Sequence, residues 1–81
     1  MSKVISLSEV VEANKELERA NVPCKVHLRD ACGRQTLWLE PSGDNLEAAI
    51  VAGRGFVRAF FKSKGYELEF DPVEGINFWA R

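Results

Sequence analysis

Cys24-Lys25-Val26-His27-Leu28-Arg29-Asp30 alternates strictly between apolar and polar side chains. Cys24, Val26 and Leu28 fall on one side and Lys25, His27 and Arg29 on the other, which is the period of a strand with one buried face. Asp30-Ala31-Cys32-Gly33 follows, and Thr36, Leu37, Trp38, Leu39 and Glu40 continue beyond it. Asp opens a type I turn well, and Gly33 supplies the left-handed position of a bulged hairpin. Residues 24–30 and 34–40 therefore read as an antiparallel hairpin, apolar on one face only.

On the N-terminal side, Ser6-Leu7-Ser8-Glu9 reads as a helix start, with Ser6 as cap and Glu9 closing a capping box. Leu7, Val10, Val11, Leu17 and Ala20 recur near helical spacing, with Asn14 at the edge of the stripe. Asn21 and Pro23 end the helix, since proline disfavours helical geometry at Val22. On the C-terminal side, Pro41-Ser42-Gly43 is a loop. Asp44 is the expected cap of a second helix, with Glu47 three residues on. Leu46, Ala49, Ile50, Gly53, Phe56, Val57, Phe60 and Phe61 form its wide apolar stripe, and Gly65 suits its C-terminal stop. Gly53 and Gly55 each cost about 1 kcal/mol against Ala inside a helix. Gly53 lies on the inner face, which points to a close helix–sheet approach. The Gly53-Arg54-Gly55 run is not a phosphate loop, being mid-helix without a P-loop lysine pattern.

The last segment repeats the hairpin. Tyr66, Leu68 and Phe70 alternate with Glu67, Glu69 and Asp71. Asp71-Pro72-Val73-Glu74-Gly75 is a turn. Ile76, Phe78 and Ala80 alternate with Asn77, Trp79 and Arg81. The order is αββαββ, a repeat of form rather than of side chains. Two amphipathic helices and four half-apolar strands fit an α+β two-layer sandwich, with both helices on one face of a four-stranded antiparallel sheet. A right-handed crossover through the second helix makes strands two and three parallel with a gap between them, which strand four fills. The expected sheet order is 3-4-2-1, the ferredoxin-like arrangement with its first strand moved to the end. A rival order places strands one and three together at the centre. The charges favour that rival, because it would set Lys25, His27 and Arg29 beside Glu67, Glu69 and Asp71.

With 81 residues the chain is expected to be a single domain, residues 1–81. A domain this short buries only roughly 60% of its unfolded surface, so a deep catalytic cleft is hard to house. Apolar residues at 46% and charged residues at 28% describe a globular chain rather than a disordered one. The net charge of −1 offers no global field to gather nucleic acid or an acidic membrane. No apolar run is long enough to span a membrane, and the first residues lack the apolar block of a secretory signal, so a cytoplasmic setting is expected. Cys24 and Cys32, eight positions apart along the hairpin, are held too far apart for a disulfide and are expected to be reduced.

On the face the helices leave bare, strand two carries Thr36, Trp38 and Glu40, and strand four carries Asn77, Trp79 and Arg81. In the preferred order these strands are neighbours, so Trp38 and Trp79 form one central patch between a basic and an acidic edge. Two outward tryptophans suggest contact with something. The plainer reading is a tryptophan pair packed on itself or under the chain termini as a minor second core. A surface for a protein partner or for self-association ranks above nucleic acid. RNA-recognition domains stack bases on aromatics of two such central strands, but the basic-aromatic motifs of those domains are missing here.

Arg29-Asp30-Ala31-Cys32, with the neighbouring Gln35-Thr36-Leu37 region, resembles the small bacterial RDAC family. The resemblance implies a bacterial origin and carries no activity. As chemistry, Cys32 at a turn flanked by Arg29 and Arg34 is a candidate reactive thiol. His27, the one histidine, faces away from Cys24, so the two make no nucleophile pair. Cys24, His27 and Cys32 fit no zinc spacing, and no metal or cofactor is expected. Glu67, Glu69 and Asp71 read as a solvated acidic edge, since paired carboxylates need a cleft to do hydrolysis. The expectation is a small non-enzymatic binding or assembly module using Trp38, Trp79, Thr36, Asn77, Arg29, Arg81 and His27. A single-stranded nucleic-acid-binding domain on the same face, or thiol chemistry at Cys32, is the alternative.

Overall fold

The computed structural model describes residues 4–31 and 34–81. In chain order they form α1 (Leu7–Arg19), β1 (Cys24–Ala31), β2 (Arg34–Pro41), α2 (Leu46–Ser63), β3 (Leu68–Phe70) and β4 (Asn77–Ala80). The turn expected at Cys32-Gly33 lies outside the described residues.

Both ends of α1 are chemically specified. Ser6 Oγ accepts the Glu9 N–H at 3.2 Å, and the Ser6 N–H donates to Glu9 Oε1 at 2.9 Å, closing the expected capping box. At the other end Asn21 takes a left-handed conformation, φ 56°, and the Val22 N–H returns to the Leu17 carbonyl at 3.0 Å. The cap of α2 falls one residue later than expected. Asn45, not Asp44, accepts the Ala48 N–H at 3.0 Å. Asp and Asn are equally good caps, so spacing could not choose between adjacent ones. Gly65, at φ 92°, stops α2 where the sequence placed its stop.

The sheet order is β1-β2-β4-β3, antiparallel throughout. The rival with β1 and β3 central is not adopted. Its attraction was a set of surface ion pairs, each worth about 0–1 kcal/mol. The adopted order buries Leu37 beside Phe78 on the two central strands, which is worth several times more. Cys24, Val26, Leu37, Leu39, Phe70, Phe78 and Ala80 all point to the same face and are buried under both helices. From α2 come Ala49, Gly53, Val57 and Phe61; from α1 come Val10, Ala13 and Leu17. The α1 stripe is thus rotated from the expected one. Leu7 and Val11 stay 67% and 47% exposed, while Ala13, on the other flank, is fully buried.

Two side-chain amides close what the packing leaves open. Asn14 Nδ2 donates to the Val26 carbonyl at 3.0 Å, and the Val26 N–H donates to Asn14 Oδ1 at 2.7 Å. This covers an outward backbone pair of edge strand β1. Gln35 holds Ile5 in the same way, accepting its N–H at 2.8 Å and donating to its carbonyl at 2.7 Å. Ile5 is thereby seated in the core at 1% exposure. Tyr66 is not in β3 as the alternation suggested. Its hydroxyl reaches Glu9 Oε1 at 2.9 Å and ties the end of α2 to the start of α1. In the β3–β4 turn, Asp71 Oδ1 accepts the Val73 N–H at 3.0 Å, and Gly75 supplies φ 71°.

The close approach expected at Gly53 is present. A Cβ there would lie 2.6 Å from Cys24 Sγ, whereas one at Gly55 would meet nothing within 4 Å. Gly53→Ala should therefore lose about 1–2 kcal/mol in urea unfolding, overpacking outweighing the gain in helix propensity. Gly55→Ala should gain up to about 1 kcal/mol. Adding Cys24→Ala to Gly53→Ala should recover part of the loss, and a strictly additive double mutant would contradict the contact. Stability should also fall in acid through Glu9. The Ser6 backbone N–H, with the Ser6 and Tyr66 hydroxyls and Lys64, holds its carboxyl below the usual range. That stabilisation is complete above the unfolded-chain value of about 4.3 and is lost as pH falls through the lower folded value. Glu9→Gln, followed by urea titration at several pH values, should flatten that part of the acid slope.

Candidate binding face

The register fixes what the uncovered face displays. His27 pairs with Trp38, Trp38 with Asn77, and the Asp71 N–H bonds the Asn77 carbonyl at 2.8 Å. These four make one row across the sheet. The next row is Arg29, Thr36, Trp79 and Glu69, from the pairs Arg29↔Thr36 and Glu69↔Trp79 and the continuation of Leu37↔Phe78. Each row begins with a basic or imidazole side chain on β1 and ends with a carboxylate at the β3 edge, Glu69 within β3 and Asp71 just after it. Each holds one tryptophan and one small polar residue on the central strands. The tryptophans are on adjacent strands in different rows, so they lie diagonally rather than face to face.

Each indole is anchored to its own edge. Trp38 stacks on His27, with centroids 5.1 Å apart and planes 22° off parallel, and the Arg29 guanidinium sits 5.6 Å from its centroid. His27 Nε2 in turn meets Glu40 Oε1 at 2.8 Å. On the other side, the Trp79 indole N–H donates to Glu69 Oε1 at 2.8 Å. Both rings are half-buried, with one polar or cationic contact each, as aromatics with a wet side require. Between them lies an open depression of about 640 Å³, lined by Arg29, Gln35, Thr36, Trp38, Asp71, Asn77 and Trp79.

Of the residues singled out in the sequence, Arg29, Thr36, Trp38, Asn77 and Trp79 meet at this depression, and His27 backs Trp38. Arg81 does not line it. It lies at the β3 side, 3.8 Å from Glu67 and 3.7 Å from Glu69, in exposed pairs of little energetic weight. Cys32 lies outside the described residues. Gln35 and Asp71 line the depression without having been picked as site residues. Asp71 was legible only as one of an acidic ladder, and Gln35 sits in the alternation of the helix-facing side.

Cys24 is buried, its thiol donates to the Ala49 carbonyl at 3.2 Å, and burial pushes its pKa up. A thiol so placed is a packing group rather than a nucleophile. Among the described residues no three His, Cys, Asp or Glu side chains gather to hold a metal ion, and no helix is long and apolar enough to cross a membrane. No protein-family model, curated protein or solved structure matches the chain.

In a Cys32→Ser variant, Cys24 should react with a disulfide reagent only at the rate of unfolding. Rapid labelling of the native protein would contradict its burial.

Proposed function

We propose that this domain is a non-enzymatic binding or assembly module whose contact surface is the open sheet face around Trp38 and Trp79. The observation that carries the reading is the arrangement of the two indoles. Each is anchored at one edge and half-uncovered, and a depression floored by Thr36 and Asn77 lies between them. Aromatic anchors beside a recess are what a protein contact uses, because they bury large area while losing few rotamers. The flat face offers no enclosed space in which water could be excluded from a reacting bond. The bacterial origin implied by the Arg29-Asp30-Ala31-Cys32 run and a cytoplasmic setting belong to this proposal as well.

Single-stranded nucleic acid is the second reading, favoured by the placement of both tryptophans on central strands with Arg29 beside one of them. The β3 edge weighs against it, since Glu67, Glu69 and Asp71 would repel a phosphate chain leaving the face. Thiol chemistry at Cys32 ranks third.

Solvent access and energetic cost test the leading reading together. In dilute solution the tryptophan emission should be red-shifted and quenched by acrylamide. Trp38→Ala and Trp79→Ala should each cost less than about 1.5 kcal/mol, the scale of an aromatic contact. Blue-shifted, unquenchable emission with losses of about 3–5 kcal/mol, the scale of core truncation, would make the pair a second core and end the proposal. A salt-sensitive fluorescence change on titration with mixed single-stranded RNA and DNA would move the second reading ahead of it.

A further inference from the structure

The two rows of the open face share one charge order and differ in which central strand carries the tryptophan. One row reads, from β1 to β3, His27, Trp38, Asn77, Asp71; the other reads Arg29, Thr36, Trp79, Glu69. A second sheet laid face to face, turned about a two-fold axis parallel to the strands and passing between β2 and β4, keeps each row at its own level. It reverses the strand order, so β1 lies over the second copy's β3 and β2 over its β4. Arg29 then faces the second copy's Glu69, and His27 faces its Asp71. Trp38 faces Asn77 of the second copy, and Trp79 faces its Thr36. Every pairing occurs twice, as an isologous contact requires.

We infer that the occupant of this face is a second copy of the same chain, joined sheet to sheet about that axis. The inference rests on the proposal that the face is a binding surface. Two observations favour a copy over an unrelated partner. Within these two rows the basic or imidazole side chain lies on β1 and the carboxylate at the β3 edge, an order that is complementary to itself when turned over, which sets orientation as well as attraction. The large side chains also fall opposite small ones, so each indole enters the part of the depression floored by Thr36 or Asn77 rather than meeting the other copy's indole. The other face-to-face two-fold, with its axis across the strands, would put β1 over β1 and β3 over β3, like charge on like. Glu69 has room for the new contact. A carboxylate offers about four acceptor positions; Trp79 occupies one on Oε1, and Arg81 lies 3.7 Å from Oε2 in an exposed pair. Interfaces of this kind bury about 800 Å² on each partner, a small part of the chain's 5506 Å².

The test is a charge exchange read by sedimentation velocity over a concentration series. The wild-type chain should dimerise, and added salt should weaken the dimer. Arg29→Glu and Glu69→Arg, each alone, should raise the dimer Kd by at least about tenfold, because each sets two like pairs face to face. Mixed in equal amounts, the two variants should form a 1:1 heterodimer, since both contacts are then opposite in sign. Circular dichroism of each variant shows whether it is folded. Thr36→Trp, which fills the depression, should also leave a folded monomer. A wild type monomeric up to about 1 mM, the limit of weak association, overturns the inference. So does a dimer indifferent to all three substitutions, or a mixture of folded variants that stays monomeric. If the tryptophans are nevertheless quenchable in that monomer, the binding-face reading stands with another occupant. If they are shielded in the monomer, both fail.

Discussion

Everything on the open face depends on β4 inserting between β2 and β3. The pairing is short, with Leu37 against Phe78, Trp38 against Asn77, and the Leu39 N–H on the Ile76 carbonyl at 3.1 Å. It is nevertheless what joins the two hairpins into one sheet. On its inner side it sets Phe78 beside Leu37 beneath α2, where Phe61 and Phe70 also pack around Phe78 with ring centroids 6.5 and 5.0 Å away. On its outer side the same register brings Trp79 level with Thr36. A slip of one residue would exchange those faces, putting Phe78 into water and Trp79 into the core. The core therefore fixes the site, because both are printed on one strand with a period of two.

The elements were legible because period, caps and turn residues agree, whereas the sheet order was left between two arrangements, the crossover geometry favouring the adopted one and the charges its rival. Ser6 with Glu9, Asn21 before Pro23, and Gly65 after the apolar run each mark a boundary by a local mechanism that needs no tertiary context. What was not legible was long-range. Leu7 and Val11 look as apolar as Val10, and only the position of β1 beneath α1 decides that Ala13 is covered and they are not. Asn14 and Gln35 show the same limit. A side-chain amide can embrace the N–H and C=O of one residue, but the sequence does not say that those residues are Val26 and Ile5, on segments far away in the chain. For the site, the alternation gave the outward residues and the strand order made Trp38 and Trp79 neighbours. The diagonal offset, and the anchoring of each indole to a different edge, follow from the register of two hairpins against each other, which no local pattern encodes.

The placement of charge is the remaining constraint on what the face is for. Three strand spacings, about 14 Å, separate β1 from β3. At physiological ionic strength exposed charges are screened over roughly 8 Å. Lys25 and Arg29 thus do little to neutralise Glu67, Glu69 and Asp71 within one sheet, and the order that would have paired them is not adopted. Some of the acidic edge is balanced locally by Arg81, and some of the basic edge by Glu40, which is the register partner of Lys25 on β2. The segregation survives both. On the proposed reading, in which the face meets another surface in one orientation, the unneutralised edges select the approach while the indoles between them supply the buried area.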